Sequence, residues 1–177
     1  MNRAVIEKYG IRLRRLRPED LELLRYWRNQ PRISQYMNYR EYITEEMQIA
    51  WFNRINKDHN YYYIVEWQKR SVGVINIKNT SEADKSGEAG VFFWDNECLN
   101  SEVPFLASLA LYDFTYEILG LKFLWAHILR TNTRTIRYNK HMGFKLQPGQ
   151  ENVENQLYRQ TREDYFLWRD RVAPLFE

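Results

Sequence analysis

The side chains best suited to chemistry are few and scattered. Tyr138 lies in a short polar segment six residues after Asn132. A phenol with a free pKa near ~10 is protonated at neutral pH and is a competent proton donor. Glu88 falls on a predicted strand. If strand parity turns its carboxylate toward a cleft, it takes a proton directly or through water; if not, it is a surface residue. His127 sits inside the aromatic run Phe123–Leu129, the usual setting of a half-buried structural imidazole. Arg28 carries a planar fork suited to a phosphate or a carboxylate, while Arg28-Asn29 also reads simply as a helix end. Tyr138 has a plain alternative too, packing beside Ile136 and Met142, and Asn132 would cap a helix whatever the function. Cys98 is the lone cysteine, which excludes an internal disulfide framework. Three scattered histidines beside it give no metal-ligand spacing, so no metal is expected.

The elements that must position these groups are legible from pattern. Gly90 to Trp94 is an apolar run that reads as a buried strand, closed by the polar turn Asp95-Asn96-Glu97. A long helix, Val103 to Leu119, carries Phe105, Leu109, Tyr112, Tyr116 and Leu119 in one row and stops at Gly120. Phe123 to Leu129 is a second strand. A polar hinge, Arg130 to Thr133, opens a short helix ending at Gly143, and Phe144 begins another strand. This alternation forces crossover connections and a partly parallel sheet, with ligands expected where strand ends meet helix starts.

Earlier in the chain, Ile11 to Leu16 begins as a half-buried strand. Pro18-Glu19-Asp20 starts a helix bearing Leu21, Leu24 and Trp27, which ends near Asn29 because Pro31 disfavours helix at Gln30. Arg32 to Tyr42 reads as a loop, with Tyr36, Met37, Tyr39 and Tyr42 more aromatic than a connector needs. Recognition and packing are both open to that cluster. Thr44 caps a second helix whose inner face is expected to hold Met47, Trp51 and Ile55. Tyr61–Trp67, Val72–Asn79 and Glu88–Trp94 form a meander joined by turns at 68–71 and 80–87. Asn155 to Gln160 is the last strand, and Thr161 with Asp164 is a capping box for a final helix reaching Val172.

A chain of 177 residues is expected to form one domain, 1–177, with a sizeable core. The net charge of +3 comes from interspersed charges of both signs. That is a solvated surface and argues against a nucleic-acid partner. Residues 1–8 contain no signal-type apolar region and no window approaches membrane-spanning length. The expectation is a soluble, cytoplasmic protein without a membrane partner.

The order of elements resembles the GNAT acetyltransferases, and residue matches strengthen the resemblance. Leu119-Gly120-Leu121, a strand, and then Asn132 to Phe144, with a tyrosine six residues after the asparagine and a closing Gly143-Phe144, look like that family's second coenzyme-binding motif. Arg12-Leu13-Arg14 and Leu16-Arg17-Pro18-Glu19-Asp20 are similar to its N-terminal strand and helix. Trp27-Arg28-Asn29-Gln30-Pro31, with Met37 and Trp51-Phe52, resembles the branch holding ribosomal-protein N-terminal acetyltransferases and the amino-sugar acetyltransferase of pseudaminic acid synthesis.

The resemblance implies an α/β GNAT fold, a mixed central sheet with helices on both faces. It also implies acetyl transfer from acetyl-CoA, as co-substrate, to a primary amine: an amino sugar, another small amine or a polypeptide N-terminus. Phe92, Phe93 and Trp94 would then offer backbone N–H groups to the pantetheine and the thioester oxygen. Asn132 would hold the pantetheine arm, and Tyr138 would protonate the leaving thiolate, with Glu88 as candidate base. Arg28, Asn29, Tyr36 and Met37 fall on the acceptor side. Asn100, Ser101, Glu102, Val103 and Lys140 fall where the coenzyme phosphates are expected. A homodimer is left open.

One departure stands out. The family's pyrophosphate turn carries a basic residue or glutamine and glycines whose N–H groups reach the phosphates. Here Leu99-Asn100-Ser101-Glu102-Val103-Pro104 has no glycine and no basic residue. Glu102 places negative charge there, and Pro104 removes a donor. Two expectations follow: coenzyme anchored elsewhere, by Arg130, Arg134 or Lys140, or a GNAT-fold interaction module without catalysis.

Overall fold

The structure, a computed structural model, describes residues 4–176. Eight strands form one sheet: β1 (Val5–Lys8), β2 (Ile11–Arg15), β3 (Tyr61–Trp67), β4 (Arg70–Ser81), β5 (Ser86–Phe93), β6 (Phe123–Leu129), β7 (Lys145–Leu146) and β8 (Asn155–Thr161). Their spatial order is β1-β2-β3-β4-β5-β6-β8-β7. Every neighbouring pair is antiparallel except β5 and β6, which run parallel. The longer helices are α1 (Leu21–Arg28), α3 (Glu45–Ile55), α5 (Val103–Asp113), α6 (Thr133–His141) and α7 (Arg162–Val172). Two single turns, α2 (Pro31–Ser34) and α4 (Asn96–Leu99), lie between them.

Strand alternation divides the interior in two. Tyr61, Tyr63 and Val65 of β3 join Ile75, Ile77, Phe93, Leu124, Ala126 and Ile128 against α5 and Tyr165 of α7. Tyr62 and Ile64, on the opposite side of the same strand, pack with Val74, Trp94, Leu24 and Phe52 beneath α1 and α3. Helices therefore cover both faces, as the mixed-sheet expectation required. Trp27 of α1 stacks on Trp94 with ring centroids 6.2 Å apart, which fixes α1 to the end of β5.

Several boundaries differ from the pattern reading. β1 was not foreseen; it is formed by a two-residue hairpin in which Tyr9 and Gly10 both have positive φ, the geometry that matches strand twist. On α3 the inward face is led by Gln48 and Phe52, with Trp51 and Ile55 beside it, while Met47 is exposed. The expected long helix ends at Asp113 and continues as a π-turn, Phe114–Ile118, with the Thr115 hydroxyl donating to the Leu111 carbonyl at 2.8 Å. The Asp95–Glu97 segment is not a plain turn. Asp95 accepts from the Glu97 and Cys98 amides and starts α4. The capping boxes and caps at Thr161, Thr44 and Asn132 form as their spacing implies.

Asp113 ties three of these elements together. Its carboxylate accepts from Tyr9 (2.8 Å), from Tyr165 (2.8 Å) and from Arg169 (3.2 Å), and it pairs with Lys8. Burial alone would push this carboxyl up; the hydrogen bonds from Lys8, Tyr165 and Tyr9 outweigh it and hold it below its ordinary value. A carboxylate depressed by folding contributes stability that is complete above its unfolded value, near ~4, and is lost as pH falls through the folded value. Asp113→Asn is therefore expected to cost about 3 kcal/mol at neutral pH. In urea melts its deficit against the parent should shrink as pH is lowered from about 5 toward about 2. A deficit independent of pH would remove the ionised carboxylate from this account.

Candidate active site

Hydrogen bonding between β5 and β6 is brief. The two strands pair only where Ser86, Gly87 and Glu88 meet Phe123, Leu124 and Trp125. Beyond that point β5 stays with β4 as far as Phe93, and β6 stays with β8 as far as Leu129. Ala89–Phe93 and Ala126–Leu129 thus bound a wedge in the middle of the sheet. The Trp94 amide donates to the Val72 carbonyl at 3.0 Å, which sets the alternation along β5. The amides of Glu88, Gly90, Phe92 and Trp94 face β4, whereas those of Ala89, Val91 and Phe93 face the wedge. Of the three residues expected to present N–H groups, Phe93 does so; Phe92 and Trp94 have theirs committed to β4.

On the α1/α3 side, residues from four strands and one helix converge beside the wedge. His127 Nδ1 lies 3.2 Å from Glu88 Oε1, and Lys78 Nζ is 3.2 Å from the same oxygen. Glu88 belongs to the last β5–β6 pair and His127 comes two residues further along β6, so the two side chains straddle the apex. Parity thus turns Glu88 toward the α1/α3 side, and His127, read from sequence as structural, is its partner. Gly90, next on this face of β5, lies opposite Asn76 of β4. A Cβ at Gly90 would come within 3.0 Å of Asn76 Oδ1, so the carboxamide occupies the space a side chain there would need. Asn76 is buried, and its Nδ2 has no hydrogen-bond partner. Phe92 follows on the same face, and the Arg28 guanidinium stands 5.9 Å from its ring centre. Tyr62 lies within the field of both Glu88 and Arg28. Burial, with a smaller contribution from Glu88, pushes its phenol up to about 12.

On the α5/α6 side, Asn132 accepts from the Thr135 amide at 3.1 Å and caps α6. Tyr138 packs its ring 4.7 Å from Phe105. Its hydroxyl donates to the Pro104 carbonyl at 2.7 Å and lies 2.6 Å from Ser108 Oγ, which donates to it. Burial holds this phenol well above its ordinary value, so it is protonated at neutral pH. The group expected beside a sulfur is bonded to the first turns of α5. Arg134 binds the Leu99 carbonyl, joining α6 to the same region. Lys140 is exposed.

The segment expected to hold phosphates is internally bonded. The amides of Leu99, Asn100, Ser101 and Leu106 donate to Asp95, Glu97, Cys98 and Glu102 carbonyls, and the Val103 amide donates to Ser101 Oγ. Val103 is buried in the core, Asn100 and Glu102 are exposed, and Pro104 has no donor. A diphosphate cradle of free N–H groups is not assembled here. The donors of this chain that a coenzyme could meet are the wedge-facing amides of Ala89, Val91 and Phe93. Buried Cys98 is unreactive, its thiol pushed up to about 11 by burial.

On the acceptor side, Asn29 clasps Ile43, donating from Nδ2 to its carbonyl (2.9 Å) and accepting its amide (2.8 Å). Its polar ends are engaged in closing the 30–43 loop. Tyr36 is exposed, and Met37 packs against the α1-side core. The neighbouring stretch 38–41 meets Leu129, Glu154 and Asn155 in an open depression at the end of β6.

Residues 11–145 match the family model described as an acetyltransferase (GNAT) domain. The chain belongs to the GNAT acetyltransferase family. Solved GNAT structures share its fold at low identity. FdhC, described as a nucleotide-linked sugar GNAT, superposes with a TM-score of 0.82 at 18% identity over 100% of both chains. Spermidine N-acetyltransferase from Vibrio cholerae, in complex with CoA and spermine, gives 0.74 at 17% identity, covering 90% of this chain and 99% of that one. AAC(6')-Ib, in complex with ribostamycin and coenzyme A, gives 0.74 at 16% identity, covering 89% and 96%. No curated protein sequence matches the chain.

An unpaired buried donor costs about 1–3 kcal/mol, and an apolar side chain of the same shape removes that cost. Asn76→Leu should therefore raise stability by about 1 kcal/mol in chemical denaturation. A loss above about 2 kcal/mol would mean that the carboxamide serves the fold.

Proposed function

We propose that this GNAT domain is an acetyl-CoA-dependent N-acetyltransferase acting on a primary amine, with the Glu88–His127 pair as its proton acceptor. The single observation that carries this reading is the wedge between β5 and β6 with a carboxylate–imidazole pair at its apex. Acetyl-CoA, when bound, supplies an acetyl group activated as a thioester.

The rest is done by the chain's own residues. The outward amides of Ala89, Val91 and Phe93 line one side of the wedge and orient a bound arm by backbone hydrogen bonds. An amine must lose a proton as it attacks a carbonyl. With a proton on Nδ1, His127 donates to Glu88 and leaves Nε2 free to take the proton of the incoming amine; Glu88 fixes that tautomer and stabilises the imidazolium. Lys78 Nζ lies 3.2 Å from the same carboxylate oxygen and helps hold it in place. The Asn76 amide, buried beside Gly90 and unpaired, is a donor for an oxygen that gains negative charge. Tyr138 is a protonated donor held on Pro104; turning from that carbonyl would bring its hydroxyl to a leaving thiolate.

The acceptor branch is part of the proposal. Neighbouring structures are named for spermidine, for ribostamycin and for a nucleotide-linked sugar, and Trp27–Pro31 resembles the branch holding both ribosomal-protein N-terminal and amino-sugar acetyltransferases. A non-catalytic interaction module is a second reading, supported by the internal bonding of residues 99–106.

Thiol release from acetyl-CoA, screened against a panel of amines, separates the two. Activity is expected, with His127→Ala lowering kcat by about 10²-fold or more and Glu88→Gln by about 10-fold. Tyr138→Phe should lower kcat while leaving coenzyme affinity nearly unchanged. Full turnover in His127→Ala would remove the imidazole from the proton path. No saturable heat on titrating acetyl-CoA to millimolar concentration would support the module.

A further inference from the structure

The arginines of the α1–α2 region fall into two groups. Arg25 is engaged with Glu22, the Tyr42 hydroxyl and the Ile43 carbonyl. Arg32 donates to Asn96 Oδ1 and the Trp94 carbonyl, each at 2.6 Å, and lies over the Trp27 ring. These two hold the loop and the end of β5 in place. Arg28, between them on the last turn of α1, makes no hydrogen bond or ion pair among the described residues. Its Nε is sealed from solvent without a partner, and burial pulls its guanidinium below the ordinary value.

A half-buried guanidinium without a counter-charge is costly to the fold, because desolvation penalises the charge and nothing repays it. Among the described residues the surroundings hold no acid to do so. Arg28 faces Phe92 and Tyr62, and the nearest carboxylate on this sheet face, Glu88, is already paired with Lys78 and His127. Across Tyr62 from Arg28 lies the Glu88–His127 pair, and between them is the buried Asn76 amide, also an unpaired donor. Two unpaired donors on one wall, one of them cationic, describe a site for a ligand rich in acceptor oxygens.

Resting on the reading that this face receives the amine, we propose that Arg28 holds an oxyanion, carboxylate or phosphate, carried by the acceptor a short distance from its amino group. The planar fork binds either anion in two-point fashion. The substrate class is then an amine bearing an anion, such as an amino-sugar phosphate or an amino acid. Polyamines are excluded, because their remaining charges would meet Arg28 with the same sign.

The test has a binding arm and a kinetic arm. The Nε–H resonance of Arg28 in the full chain, assigned by its loss in Arg28→Gln, is followed by NMR during titration with inorganic phosphate and, separately, acetate. A saturable shift with either is expected, and the arm that saturates at lower concentration identifies the anion. No saturable shift with either would overturn the proposal. In the kinetic arm, glucosamine 6-phosphate is compared with glucosamine, glycylglycine with glycylglycinamide, and spermidine with all four. The anionic member of a pair should be preferred at least tenfold in kcat/KM, with the preference lost in Arg28→Gln through KM. Equal rates within pairs, or a preference for spermidine, would overturn it. Saturable anion binding without turnover of any amine would leave the Arg28 assignment standing and remove the transferase reading. Arg28→Gln should melt no lower than the parent; a lower melting temperature with unchanged anion binding would make Arg28 a structural residue and overturn the assignment.

Discussion

The structure turns on one feature: β5 leaves β6 after Glu88 while it remains paired with β4 through Phe93. β4 and β5 share a long antiparallel register, and β6 shares a complete one with β8. Those two ladders hold the halves of the sheet on diverging courses, so the amides of Ala89, Val91 and Phe93 have no strand opposite them. Backbone donors in the middle of a sheet are normally paired, since leaving them dry costs about as much as a lost hydrogen bond. A wedge of this kind persists because water or a ligand satisfies it. The fold thereby leaves a row of backbone donors along one edge of β5.

What surrounds the slot is uneven. On the α1/α3 side, Asn76 and Arg28 are buried or half-buried and lack partners, while Glu88 and His127 meet at the apex. These features do little for the fold. On the α5/α6 side the polar groups are satisfied: Tyr138 binds Pro104, Arg134 binds Leu99, and the turns from Asp95 to Leu106 bond among themselves. The two core clusters, separated by alternation along β3, carry this asymmetry without conflict, because each face has its own helices.

Much of this was legible before the structure. Local rules were obeyed wherever the determining contacts lie within a few residues: Thr161 with Asp164, Asn132 with Thr135, and the meander from Tyr61 to Phe93. The matches at Asn132, Tyr138 and Gly143-Phe144 sufficed for the family and the mixed sheet. Features set by distant partners were not legible. Met47 and Gln48 exchange faces on α3 because the turn of the helix is set by what Phe52 and Trp51 meet. The β1 hairpin was missed although Tyr9-Gly10 between two alternating runs is a hairpin signal. His127 became a site candidate only through the register that brings it to Glu88. The loneliness of Arg28, finally, is a statement about every other residue, which no local pattern contains.

The most direct test is amide hydrogen exchange along β5 with and without saturating acetyl-CoA. The account predicts slowed exchange at Ala89, Val91 and Phe93, with Gly90 and Phe92, already bonded to β4, little changed. Equal exchange at all five positions in the presence of bound coenzyme would contradict it, since the arm would then lie somewhere other than the wedge.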